Sequence, residues 1–265
     1  MSTEPDGECV SYDLRLAVLG EELRGRVSLP TSAIRVADLL PVLHSLADAL
    51  VAASTRLVEA QGNAISCRAG CAACCREPVP IAQAEAVHLA ELAASMPRER
   101  RDAIRERSEA AIERLEREAM LAEVARRMES GQPDVGSELA VAYLERQIAC
   151  PFLEDEMCSI YEHRPAACRE HVVTSPPSHC GEPAREIERV FLPARVSPVL
   201  FRLGDGLGRD LARAVPLVMA IAWAERHGDE ASKRFPGPGL FESFLREFSR
   251  TQLGREMPGE AASDR

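Results

Sequence analysis

Aromatic residues are scarce in this chain: Phe, Trp and Tyr make up 4% of its 265 residues. A core poor in rings must be filled by Leu, Val and Ala, which the 46% hydrophobic content supplies. Such a composition favours helices over β-sandwiches. Lysine is almost missing too, with Lys233 the only one, so basic charge is carried by arginine. Acidic residues outnumber basic ones 42 to 32, for a net charge of −10. That balance excludes a general nucleic-acid-binding surface and charge-driven adhesion to anionic lipid. The first eight residues are acidic and hold no apolar run, so no secretory signal is expected there. The most apolar later stretch, residues 211–224, contains Arg213 and Pro216. It is shorter than the roughly 20 residues a bilayer span needs and reads as a buried core helix. The expected location is the cytoplasm, with no membrane and no nucleic-acid partner. There is no repeat of fixed period. Gly204, Gly206 and Gly208 precede an expected helix but lack the strand and the full fingerprint of a nucleotide loop, and read as a turn.

What the chain does have is nine cysteines. In a reducing compartment, clustered cysteines are metal ligands or redox groups more often than structural disulfides. One cluster is Cys67, Cys71, Cys74 and Cys75; the other is Cys150, Cys158 and Cys168, with Cys180 beyond. Short steps between cysteines let thiolates converge on one centre, and Gly70, Ala69, Ala72 and Ala73 permit a tight loop around it. Backbone N–H groups of such a loop can donate to metal-bound sulfur. Neither cluster alone has a zinc-finger spacing; together they supply seven thiols, and Cys180 makes eight. Neighbouring side chains of an extended chain point opposite ways, so Cys74 and Cys75 are expected to serve different metal atoms or different roles. That favours a polynuclear centre, or two sites, over one isolated zinc. Arg68, Arg76, Arg164 and Arg169 flank the cysteines and are expected to offset thiolate charge. The helix after Pro80 is expected to turn its positive end toward the thiolates. Cys9 stands alone and is read as a non-ligand. His163, His171 and His179, near the second cluster, and His44 and His88 are read as ordinary locally bonded residues, and Tyr161 as packing beneath the cluster.

Pattern analysis predicts a mainly α protein: a helical domain around the cysteine centre, a small β-hairpin at the second cluster, and a possible N-terminal β-hairpin over residues 11–19 and 23–29. Helices are expected from about residue 33, capped by Thr31 or Ser32, to 59, then over 82–95, 98–129, 137–147, 207–227 and 239–253. The 98–129 helix is highly charged and reads as solvated, with one apolar stripe. Residues 131–136 read as a turn-rich break, 174–178 as a loop, 232–239 as a Pro/Gly linker, and the tail from residue 255 as loose. The organisation expected is an N-terminal hairpin and helix (1–62), a metal-binding domain (63–182) with a helical insert over about 97–147, a C-terminal helical region packed on it (183–254), and a tail (255–265).

The run Cys67-x₂-Gly70-Cys71-x₂-Cys74-Cys75, followed by Cys150-Pro151-Phe152-Leu153, Cys158-Ser159-Ile160-Tyr161 and Arg164-Pro165-x₂-Cys168-Arg169, resembles the bacterial cysteine-cluster family known as YkgJ-like, a zinc- or iron-chelating domain. The resemblance covers residues 66–180 and implies metal chelation by these positions. The family includes flagellin lysine methylases, larger proteins whose relatives are associated with an iron–sulfur cluster; no independent methyl-donor site is visible here. Two classes of function stay open. One is an iron–sulfur protein, either a redox carrier or an enzyme that modifies a protein. The other is a zinc protein whose metal is structural and whose module binds a protein partner. The thiol number, the doubled Cys74–Cys75 and the Cys150–Pro151 step place iron–sulfur first. Thiolates suit both metals, and a metal-delivery protein with a labile site is a third possibility.

Overall fold

The computed structural model describes residues 8–129, 137–183, 185–203 and 213–252. Strands β1 (Cys9–Val18) and β2 (Glu21–Pro30) pair as an antiparallel hairpin. Their turn, Leu19 and Gly20, has both φ values positive (50° and 84°), the mirror-image turn that matches strand twist. Val18, Val27 and Leu29 sit on the buried side. The N-terminal hairpin is thus present as expected. The helix predicted from residue 33 begins later. Strand β3 (Ala33–Arg35) and a 3-10 turn (Val36–Leu39) come first, and helix α1 runs over Leu40–Ala60 with Pro41 in its first turn. Residues Val36–Ala60 are long and apolar enough to cross a membrane, and Leu39, Leu40, Leu43, Ala47 and Leu50 of this stretch are at most 1% exposed in the core.

After the first cysteine cluster come β4 (Pro80–Ala82) and α2 (Gln83–Ser95). The charged helix is not continuous. α3 (Arg98–Arg117) ends at a turn where Ala119 takes φ +55°, and α4 (Leu121–Glu129) starts anew. A left-handed residue breaks a helix, and Leu115, Met120 and Val124 are buried at the bend, which explains its position. Helix α5 (Ser137–Glu145) follows; the turn predicted over 131–136 lies outside the described residues. Strands β5 (Leu153–Glu154) and β6 (Met157–Cys158) form the hairpin expected at the second cluster, turning through Asp155 and Glu156, both at positive φ. Short helices α6 (Ala166–Arg169) and α7 (Ser197–Leu200) come next. Between them, Cys180 lies on a 3-10 turn, Pro177–Gly181.

Two further corrections concern the C-terminal part. The region predicted as a helix over 207–227 contains strand β7 (Ala214–Pro216), and helix α8 is confined to Ala220–Ala231; the glycines at 204–208 lie outside the described residues, as does the tail. The expected Pro/Gly linker contains β8 (Arg234–Pro236), after which α9 spans Gly237–Gln252. In both places a three-residue strand pairs with a distant one, β7 with β4 and β8 with β3. Such pairings are fixed by tertiary partners and carry no local periodicity.

The main core packs α1, the N-terminal hairpin, α9 and α7 together, with Tyr12 against Phe241 (5.1 Å between ring centroids) and Phe244 against Phe248. A second apolar cluster lies beneath the cysteines. Ile81, Leu89, Ile104, Phe152, Ile160 and Leu217 form it, and Cys150, Cys158 and Cys168 pack on it.

Candidate metal centre

The first cysteine segment turns tightly because Gly70 adopts φ +86° and residues Ala73–Arg76 form a 3-10 turn. That turn reverses one expectation. Cys74 and Cys75 are not in extended chain, so their side chains do not diverge: both line the same cavity. The second segment is brought up by backbone contact, with Cys150 N–H donating to the Cys75 carbonyl at 2.8 Å. Further along, Ser66 N–H donates to the Val173 carbonyl at 3.0 Å.

Buried polar groups hold the two segments in register. Glu85, 1% exposed, accepts from Ala82 N–H (2.8 Å) and from Ala166 N–H (2.6 Å), and lies 3.1 Å from His44 Nε2. One carboxylate therefore caps α2 and also anchors the start of α6, which carries Cys168. At the N-terminal end of α2, Glu85 satisfies the Ala82 N–H and also lies within electrostatic reach of the Cys168 thiol. The charged insert, read as solvated, has a structural duty. From α3, Arg107 donates to the Pro151 carbonyl (2.7 Å) and to Glu154 (2.7 Å), and Arg100 donates to the Ser159 carbonyl (3.1 Å). These bonds clamp the cysteine hairpin from behind.

Six of the eight candidate ligands, Cys71, Cys74, Cys75, Cys150, Cys158 and Cys168, line one cavity of about 140 Å³. Cys67 stands beside it, close enough to Cys71 and Cys74 to interact electrostatically, with its sulfur accepting from Val173 N–H at 3.4 Å. Cys180 is buried next to His171, with Sγ 3.7 Å from Nε2. Cys9 is exposed on β1 and is not among the cavity's residues.

Two residues that sequence reasoning did not select share this place. Glu77 and His171 line the cavity, and their Oε1 and Nε2 atoms are 3.9 Å apart. Glu77, His171 and Cys180 offer ligand atoms all within 4.8 Å of one another. His171 was visible but read as ordinary. Glu77 could have been noticed as a carboxylate two residues after Cys75 in a turn otherwise built of sulfur. His163 and His179 do not line the cavity.

The electrostatics favour protonated thiols unless positive charge arrives. Burial pushes Cys150 up to about 12, opposed by the Phe152 N–H that bonds its sulfur. Burial likewise raises Cys158, opposed by the Ile160 N–H and by Arg164, and raises Cys67, opposed by the Val173 N–H. Cys74 is raised above the usual thiol range by the Cys75 thiol beside it and then by burial; Cys168 is raised well above it by burial and then by the thiols around it. Cys180 goes up to about 12 through burial and then Cys74. Glu77 is pushed up to about 7 by burial, with Arg189 acting against the shift, and His171 is pushed down to about 4 by burial, Arg189 and Arg195. Of the arginines expected to neutralise thiolates, only Arg164 lines the cavity, with its guanidinium over the Tyr161 ring. Arg76 is bonded to Glu156 and Arg169 to Asp48. A cation is what would make these thiols thiolates, and N–H donors are already aimed at three of the sulfurs.

Comparison with known proteins agrees with this chemistry. Residues 66–184 match the model of the CxxCxxCC family, described as a putative zinc- or iron-chelating domain. Over that segment, 119 of the 265 residues, the chain is similar to this metal-chelating family, the level at which the YkgJ-like resemblance fits. The family name places two residues between its first two cysteines, whereas three separate Cys67 from Cys71. The extra residue falls in the turn made by Gly70, and Cys67 is the member of the first segment left outside the cavity lining. No curated protein and no solved structure matched the chain.

Proposed function

We propose that the protein is an iron–sulfur protein whose cluster is held by thiols of the shared cavity, with electron transfer or modification of a protein side chain as its use. The observation that carries this reading is the six thiols on one cavity of about 140 Å³. A water molecule needs about 10–15 Å³ on this measure, so the space exceeds what one ion coordinated by four thiolates fills. The donor set fits such a cluster: six thiols line the cavity, and the backbone N–H groups of Phe152 and Ile160 act on Cys150 and Cys158, which would tune its potential. An iron–sulfur cluster supplies one-electron chemistry when bound. The chain's own residues position it: the Cys150 N–H to Cys75 carbonyl bond joins the two ligand segments, Glu85 sets the start of α6, and Ile81, Phe152 and Ile160 keep water from the floor.

The second reading is a zinc module that binds a protein partner. The central position of Cys74, within electrostatic reach of Cys67, Cys150, Cys158, Cys168 and Cys180, suits two zinc ions sharing thiolates. In either reading the protein works in the reducing cytoplasm, away from nucleic acid and membrane, where free thiols persist. Metal analysis and a visible spectrum on protein purified without oxygen separate the two. Iron with acid-labile sulfide, and absorption that bleaches on reduction, is the result expected. A colourless protein with stoichiometric zinc overturns the iron–sulfur reading in favour of the second.

A further inference from the structure

We propose that Glu77, His171 and Cys180 form a second metal position beside the sulfur cavity, a site for a divalent ion of the zinc or ferrous class held by one oxygen, one nitrogen and one sulfur donor. The inference rests on the thiol cavity being a metal centre, and adds to it a site of different chemistry.

Distances carry the argument. His171 Nε2 lies 3.9 Å from Glu77 Oε1 and 3.7 Å from Cys180 Sγ. The first distance is well beyond a hydrogen bond. Yet ligands about 2.0–2.3 Å from a tetrahedral ion stand roughly 3.3–3.8 Å from one another. The His171–Cys180 spacing falls inside that range and the Glu77–His171 spacing just above it, so small side-chain adjustments would let the three share an ion. Glu77 Oε1 adds an independent sign: it is shielded from solvent and has no hydrogen-bond partner. Leaving a buried carboxylate oxygen unpaired costs about 1–3 kcal/mol or more, and a metal ion is a partner that would remove that cost.

The charges also close. A divalent ion with Glu77 and Cys180 ionised is neutral, so the nearby Arg189 and Arg195 face no net positive charge. Three donors from three separate stretches of chain leave a position toward the cavity that Glu77 and His171 line, the arrangement of a site with room for a further ligand. Cys67, Cys71 and Cys74 lie close enough to act on Cys180, so the two metal positions would be neighbours.

The test is zinc stoichiometry on the full chain, with Zn(II) alone as the probe, measured by metal analysis after dialysis and by calorimetric titration. Glu77→Gln keeps the side chain's shape; His171→Ala and Cys180→Ser remove the other donors, and circular dichroism checks that each variant is folded. Each variant is expected to bind one zinc fewer than wild type and to retain the cysteine-cavity metal. The weakening should exceed the roughly 100-fold that loss of an outer partner costs. Wild-type stoichiometry and affinity in Glu77→Gln and His171→Ala would overturn the second position and leave the thiol centre standing. Loss of all metal in a folded His171→Ala would also overturn it, by showing a single shared centre. If instead Cys150→Ser keeps its full zinc complement, it is the thiol reading that fails.

Discussion

The sulfur cavity and the Glu77–His171–Cys180 corner sit side by side but are built on opposite plans. The cavity repeats one residue type six times, drawn from two short segments, and stabilises its sulfurs with backbone N–H groups. The corner uses one residue of each type, from the Ala73–Arg76 turn's end, the second residue after α6, and the Pro177–Gly181 turn. Redundancy of the first kind survives in the sequence as a visible cluster. Convergence of the second kind exists only once the chain has folded.

The largest effect is expected from breaking the cavity. Cys150→Ser should lower metal content and thermal stability together, because metal that binds only the folded chain stabilises it by about 4 kcal/mol when present at a thousand times Kd. Cys9→Ser, in the exposed hairpin, should change neither. Metal analysis and denaturation of the two variants in parallel check the contrast, and unchanged metal in Cys150→Ser would remove the cavity's claim to be the centre.

Next in size is Glu85→Ala. It strands the N–H groups of Ala82 and Ala166 and leaves His44 without its carboxylate, in a site 1% exposed. About 3 kcal/mol of stability should be lost. Because Glu85 anchors α6 and hence Cys168, metal affinity of the cavity should fall more than that of the corner. Urea denaturation with zinc titration reads both; equal weakening of the two positions would show that Glu85 supports the fold generally and neither site in particular.

These cases show why some features were readable and others not. The N-terminal hairpin was legible from alternation around Gly20, and the cysteine hairpin from Leu153 and Cys158 flanking acidic turn residues. The short strands Ala33–Arg35 and Arg234–Pro236 were not, since each pairs across the chain and neither has length enough for a period. The bend at Ala119 was invisible because the apolar stripe of residues 98–129 continues across it in sequence while the chain turns in space. Eight thiols could be named from spacing. The meeting of Cys74 with Cys75 could not, because it depends on a 3-10 turn, and Glu77 was marked only by its place two residues after Cys75, a weak signal in a chain with 42 acidic residues. Arg107 was hidden for the same reason among the charges of α3, although its bonds to Pro151 and Glu154 fix the second cysteine segment.

The corner can be distinguished from the cavity by pH. In metal-free protein Glu77 titrates near 7, above its unfolded value of 4.5. Its contribution to stability is therefore present below pH 4.5 and lost as pH rises through 7. His171 titrates near 4, below its unfolded 6.5, so its contribution is present above pH 6.5 and lost as pH falls through 4. At pH 8 only Glu77 is a burden. Metal-free Glu77→Gln should then be more stable than wild type by roughly 2 kcal/mol, and the gap should close by pH 4.5. Added zinc should reverse the order at pH 8, since the ionised carboxylate gains its partner. Chemical denaturation at the two pH values, with and without zinc, decides; a gap that does not move with pH would show that Glu77 is not a strained carboxylate.

The smallest effect expected is at Gly70, and it tests the difference between this chain and the spacing in the name of the family it resembles. Gly70 has φ +86° with no atom within 4 Å of where a side-chain carbon would be, so a substitution meets strain and no clash. Gly70→Ala should cost about 1 kcal/mol, the usual penalty for an L-residue in the left-handed region. Because Cys71, Cys74 and Cys75 follow the turn and are held by the Cys150 N–H to Cys75 carbonyl bond, metal stoichiometry should stay at the wild-type value. Cys67 precedes the turn and is fixed separately, through Val173 N–H and the Ser66 bonds to Val173 and Thr174. A modest fall in melting temperature at constant metal content is thus expected. Loss of a metal equivalent in Gly70→Ala would mean that the extra residue sets the geometry of the cavity itself, and that Cys67 belongs inside the set of sulfurs that hold metal.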